Sequence, residues 1–187
     1  MTLERRLQLL SLQWHNYQLR RNDHREKQVV SYSAVRQIGI LFRAPEKEQA
    51  KGIDLLIQGL LSDNKSVTAF TFLDDEPSPE CSVPFKSFRP SDFDRLGKIK
   101  MEVLNRFLDA PLDYLLCISP DRHIEFEHIL LRSQALCRMG TNGSAPDQLF
   151  EVTFQTDTTK PVETCAHVLK YLRMLKGQYQ RPAYLRD

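Results

Sequence analysis

The residues best equipped for chemistry fall in four short polar stretches. Asp74, Asp75 and Glu76 form the most concentrated acidic group in the chain. Together with Asp121 or Asp157, such carboxylates could hold a hard cation like Mg²⁺ through oxygen ligands, provided the chain brings them within reach of one ion. Asp121-Arg122-His123 places an imidazole that titrates near neutrality beside a carboxylate, and His123 is a candidate general base. Arg43 is a candidate anion contact. Each has a plainer reading: a proline-flanked acidic loop in solvent, a helix-capping Asp121, a solvated Arg43.

Several chemistries are not signalled. Neither GxGxxG nor GxxxxGK[ST] occurs, and Arg43-Ala44-Pro45 stands where a dinucleotide fold needs glycines. There is no GxSxG elbow. Cys81, Cys117, Cys137 and Cys165 make no CxxC pair or metal-ligand spacing, so no metal site and no cofactor is identified. Cys117 lies in an apolar strand and Cys165 on a helix face, as expected of reduced, buried thiols.

The elements that would position these residues follow from periodicity. Apolar runs at 35–42, 67–73, 113–119 and 150–155 alternate with helix-patterned segments, the pattern of a parallel sheet covered on both faces. Pro45 opens a helix to about residue 61, and further helices are expected at 99–108, 122–135 and from Pro161 to Gly177. Val103, Leu104, Phe107 and Leu108 are expected to face the core. Two short strands complete the set, one within 82–88 at an edge because of Pro84, the other at 136–139. The fold class is α/β: a three-layer sandwich with a mainly parallel, Rossmann-like sheet of five or six strands. In such a sheet, ligands bind beyond the carboxyl ends of the strands, where the strand order reverses. Arg43, Asp74, Asp75, Asp121, His123 and Asp157 all follow strands.

An amphipathic helix at 3–21 precedes the sheet. Leu3, Leu7, Leu10, Trp14 and Tyr17 recur at alternating steps of four and three, with Arg5, Arg6, Gln13 and Gln18 mostly off that stripe. The stripe must be covered. Its own sheet is the leading expectation, a second copy or another protein the next, and a membrane surface the last.

Among 187 residues, 41% are hydrophobic, enough for one self-sufficient core. The division expected is 1–28 for helix and linker, 29–177 for the α/β domain and 178–187 for a polar tail. The net charge of +2 argues against nucleic-acid binding through a cationic surface. No apolar run reaches the ~20 residues of a membrane span, and the N-terminus lacks a signal-peptide pattern, so a cytoplasmic protein is expected.

The order of elements resembles a bacterial family of small α/β proteins of unknown function. Ile38-Gly-Ile-Leu-Phe42, Leu96-Gly-Lys98 and the run 107–116 carry the resemblance, which covers about residues 20–175. It implies no known activity. The stretch from Leu112 through Gly140 is also similar to part of the N-terminal domain of heptosyltransferase-type glycosyltransferases. Those enzymes have two such domains, with a sugar-nucleotide site that depends on the second, so the likeness implies a Rossmann-like fold rather than glycosyl transfer. The function expected is a non-catalytic binding or self-association module. The alternative is a small-ligand binder or enzyme with its site at the carboxyl edge, taking a nucleotide, a sugar nucleotide or a metal.

Overall fold

The computed structural model describes residues 3–23, 28–43, 47–73, 85–94, 96–156 and 160–176. Six strands form one parallel sheet: β1 (Gln37–Arg43), β2 (Ser66–Phe72), β3 (Lys86–Phe88), β4 (Tyr114–Ile118), β5 (Cys137–Thr141) and β6 (Val152–Phe154). Their order is β3-β2-β1-β4-β5-β6, so the direction of winding reverses between β1 and β4. This is the Rossmann-like three-layer sandwich read from the sequence. The two central strands, β1 and β4, are largely apolar because both of their sides are buried; β1 is buried from Ile38 to Phe42. At the sheet's amino end, buried Asp113 accepts the backbone N–H groups of Arg36 and Gln37 at 2.7 and 2.8 Å, tying the mouth of β1 to β4.

The described residues form five α-helices: α1 (Leu3–Arg21), α2 (Lys47–Ser62), α3 (Glu102–Asp109), α4 (Ile124–Arg132) and α5 (Pro161–Met174). One core joins Leu41, Phe70 and Leu115 to Phe107 of α3 and Phe126 of α4. The other joins Ile40, Phe42 and Leu116 to Leu56 of α2 and Val168 of α5. The middle helices are shorter than their patterns suggest. Ile99 sits in an antiparallel bridge with Phe93 instead of opening α3, and Ser133 to Ala135 lie beyond α4. Val103 turns outward and is exposed, contrary to expectation, because Leu104, Phe107 and Leu108 already fill the inward face of this two-turn helix.

Glycine permits close packing of α2 on α5. A Cβ on Gly52 would come within 2.9 Å of the Pro161 carbonyl oxygen, and one on Gly59 within 2.4 Å of Leu169 Cδ2. Contacts advance along both helices together, so α2 and α5 run parallel, each starting at the carboxyl edge of the sheet.

The largest departure from expectation concerns α1. It packs on its own domain, against α4, but through its polar face. Buried Gln8 donates from Nε2 to the carbonyls of Pro90 and Phe93 at 2.7 and 2.8 Å. Asn16 donates to the carbonyl of Ile124, and its Oδ1 accepts from His128 Nδ1 at 2.8 Å. Arg5 and Arg20 pair with Glu125 and Glu127, carboxylates buried on α4. Leu12 is the one fully buried apolar side chain of α1. Beyond the helix, Asp23 pairs at 3.1 Å with buried Arg138, which also holds Glu151 at 3.0 Å. These anchors set the rotation of the helix. Leu3, Leu7, Leu10, Trp14 and Tyr17 are consequently 50–73% exposed, not covered by their own sheet.

Candidate functional site

Among the described residues, a cleft at the carboxyl edge and the outer face of α1 stand out as surfaces that could engage something else. The cleft lies beyond the ends of β1, β4 and β5, between the first turns of α2 and α5, with a volume of about 340 Å³. That is where an open parallel sheet with this order offers a ligand site. Arg43 closes one side, Ser119 and Pro120 follow β4, Thr141 ends β5 with Asn142 just beyond it, and Thr156 follows β6. Gln49 and Ile53 enter from α2, and Pro161, Thr164 and Cys165 from α5.

Arg43 is mostly buried along its length and meets Asp121 with Nη1 at 2.9 Å from Oδ2. Asp121 is 61% exposed, on a turn that Ser119 closes by donating from Oγ to the Asp121 carbonyl at 2.7 Å. Asn142 is positioned by Thr156, whose backbone N–H and hydroxyl both donate to its Oδ1, at 3.4 and 3.1 Å. Burial pushes the Cys165 thiol, which borders the cleft, up to about 12 and so favours its protonated form. Cys117 and Cys137 are buried and raised to about 12 for the same reason.

Arg43 and Asp121, two of the sequence-derived candidates, therefore meet. His123 goes elsewhere. Its ring packs between Phe72 and Phe126, with centroids 4.8 and 5.4 Å away, and is not among the cleft's lining residues. Asp74, Asp75, Glu76 and Asp157 lie outside the described residues. Among the described residues, no group of three or more His, Cys, Asp or Glu side chains could hold a metal ion. Thr141, Asn142, Gln49 and Thr164 were not singled out from sequence. The first two sit in what reads as a turn cluster, and the signal that could have found them is their place directly after a buried strand.

On α1, the five exposed apolar side chains form one continuous stripe, with Trp14 and Tyr17 rings 6.1 Å apart and Arg21 over Tyr17 at 5.8 Å. A groove beside it, between α1 and α4, is lined by Gln13, Tyr17, Arg20, Arg122 and Glu127, among others. Glu127 pairs there with both Arg20 and Arg122. No described helix is long and apolar enough to cross a membrane.

No curated protein and no solved structure matches the chain. A family model does match, over residues 10–175, from within α1 to just past α5. The chain belongs to that family, a family of unknown function (DUF6913).

Proposed function

We propose that the protein is a non-catalytic self-association module, in which the outer face of α1 docks on the same face of a second copy. The observation that carries this reading is the inverted seating of α1. A helix that buries Gln8 and Asn16 while holding Leu3, Leu7, Leu10, Trp14 and Tyr17 in water has its apolar stripe reserved for another surface.

The occupant follows from spacing, direction and charge. Steps of four and three along 3–7–10–14–17 are those of a helix–helix seam. Gln8, Leu12 and Asn16 lie on the opposite side of the helix, so the stripe points away from the domain and two copies can meet there without collision. An antiparallel pairing sets the leucine half of one stripe against the Trp14 and Tyr17 half of the other, small against large. It also brings the acidic first turn, with Glu4, toward the basic last turn, with Arg20 and Arg21. A parallel pairing would instead stack Arg21 on its counterpart. The stripe exposes several hundred Å² of apolar surface, a large part of the roughly 800 Å² per partner in a standard interface.

In this reading the module works in a bacterial cytoplasm, and the glycosyltransferase likeness reflects shared architecture. Light scattering after size-exclusion chromatography, over a dilution series, tests the proposal. The expected result is a dimer that dissociates on dilution, and a Leu10→Glu variant that is monomeric with unchanged circular dichroism. A wild-type chain that is monomeric throughout, including one that instead binds anionic vesicles, would overturn it; so would a Leu10→Glu dimer.

A further inference from the structure

The seam between α1 and α4 is built unlike the rest of the molecule. Leu12 is the one apolar side chain that α1 buries completely, with Leu19 partly buried on the same core. The core under α2 and α5 contains no residue of α1. What seats the helix is polar: Gln8 on the carbonyls of Pro90 and Phe93, Asn16 on that of Ile124, and Arg5 and Arg20 on Glu125 and Glu127. Water can take the place of each of these partners once the helix swings out, so the seam costs less to open than an apolar one of the same length. Beyond the helix, Asp23 holds buried Arg138 at 3.1 Å, a tether that does not depend on the seam.

His128 sits within this seam. It is buried, its Nδ1 donates to Asn16 Oδ1 at 2.8 Å, and the Phe93 ring stands edge-on to it with centroids 6.1 Å apart. Nothing charged around the ring is arranged to receive a second proton. On α4, Glu125 and Glu127 are taken by Arg5, Arg20 and Arg122. In the segment before α3, Asp92 accepts the backbone N–H of Arg89, and Asp94 those of Leu96 and Lys98. The charges that act on the ring are those of Arg132 on α4 and His15 on α1, both unfavourable to an imidazolium. With the helix away, the ring is in water and titrates at its ordinary 6.5; with the helix seated, burial holds it down to about 4. Between those values the open form binds a proton that the closed form refuses, so acid favours opening.

We infer that α1 is a clasp that opens as a unit on acidification, with protonation of His128 as the trigger and the sheet left folded behind it. Opening uncovers Glu125, Glu127 and the face around Phe93. The seam and the outer stripe lie on opposite sides of α1, so this inference does not rest on self-association.

Hydrogen exchange of the full chain, followed by mass spectrometry and corrected for the intrinsic pH dependence of amide exchange, tests it. At pH 7.5 the central amides of α1, at 8–16, should be at least tenfold less protected than those of β4, the sign of an opening smaller than global unfolding. Between pH 7.5 and 5 the opening equilibrium of α1 should rise about thirtyfold, the factor set by a proton taken up at 6.5 in the open form and at about 4 in the closed one. His128→Asn, whose amide takes the place of Nδ1 without titrating, and His128→Gln should each lose that rise, and His15→Gln should keep it. The same series on Leu10→Glu tells protection lost by opening from protection lost by dimer dissociation, and the rise should be unchanged there. Four results would overturn the inference: α1 amides as protected as those of β4, no rise in the wild-type chain, a full rise in either His128 variant, or its loss in His15→Gln.

Discussion

His128 shows how one buried side chain ties the stability of this fold to pH. Its ring lies between α1 and α4, and Nδ1 carries the proton, since Asn16 donates its own N–H to Ile124 and offers Oδ1 to the imidazole. Burial, with smaller contributions from the positive charges of Arg132 and His15, lowers the pKa of His128 to about 4. Above pH 6.5 both folded and unfolded chains hold it neutral, and it adds no pH dependence. As pH falls through 6.5 the unfolded chain takes up a proton that the folded chain refuses until about pH 4. Folding stability is therefore lost across that window, by on the order of 3 kcal/mol from this group. Urea unfolding of wild type and His128→Gln between pH 7 and 4 checks this: the variant should show a shallower acid slope, and identical slopes would refute it.

At the scale of elements, the α2–α5 contact separates helix propensity from packing. Alanine is better than glycine inside a helix by about 1 kcal/mol, which by itself predicts stabilisation at both Gly52 and Gly59. Their neighbours differ, however. A Cβ at Gly59 meets the tip of Leu169, a side chain that can rotate away, whereas one at Gly52 meets the backbone of Pro161. Gly59→Ala should be within about 1 kcal/mol of neutral, and Gly52→Ala should cost about 1–3 kcal/mol by forcing the helices apart. Denaturant unfolding of the two variants decides it, and equal stabilities would show that the backbone contact relaxes freely. Because Pro161 also borders the cleft, Gly52→Ala should disturb the site as well as the packing.

For the whole molecule, self-association predicts a concentration dependence of stability. A second copy that binds only the folded chain raises the melting temperature as protein concentration rises, and Leu10→Glu should abolish that rise while leaving the dilute melting point unchanged. A wild-type melting temperature independent of concentration would contradict the dimer. The architecture behind this was legible in the chain itself. Strands buried on both sides must be continuously apolar, so β1 and β4 stand out as short runs, and the helical patterns between the strands call for parallel crossovers. The strand-end rule also selected Arg43 and Asp121, which meet at the carboxyl edge. The same rule selected His123, which instead joins the aromatic core, because position after a strand does not set which way a side chain turns. The cleft's hydroxyl and amide groups, and above all the seating of α1, were decided by tertiary structure. The stripe on α1 is evident from spacing alone, and burying it would be the favourable choice for an isolated helix. What turns it outward is a set of partners distant in sequence: the carbonyls of Pro90, Phe93 and Ile124, and the buried carboxylates of Glu125 and Glu127. Only the folded chain brings these to the polar face, and buried polar groups without partners cost more than an exposed leucine.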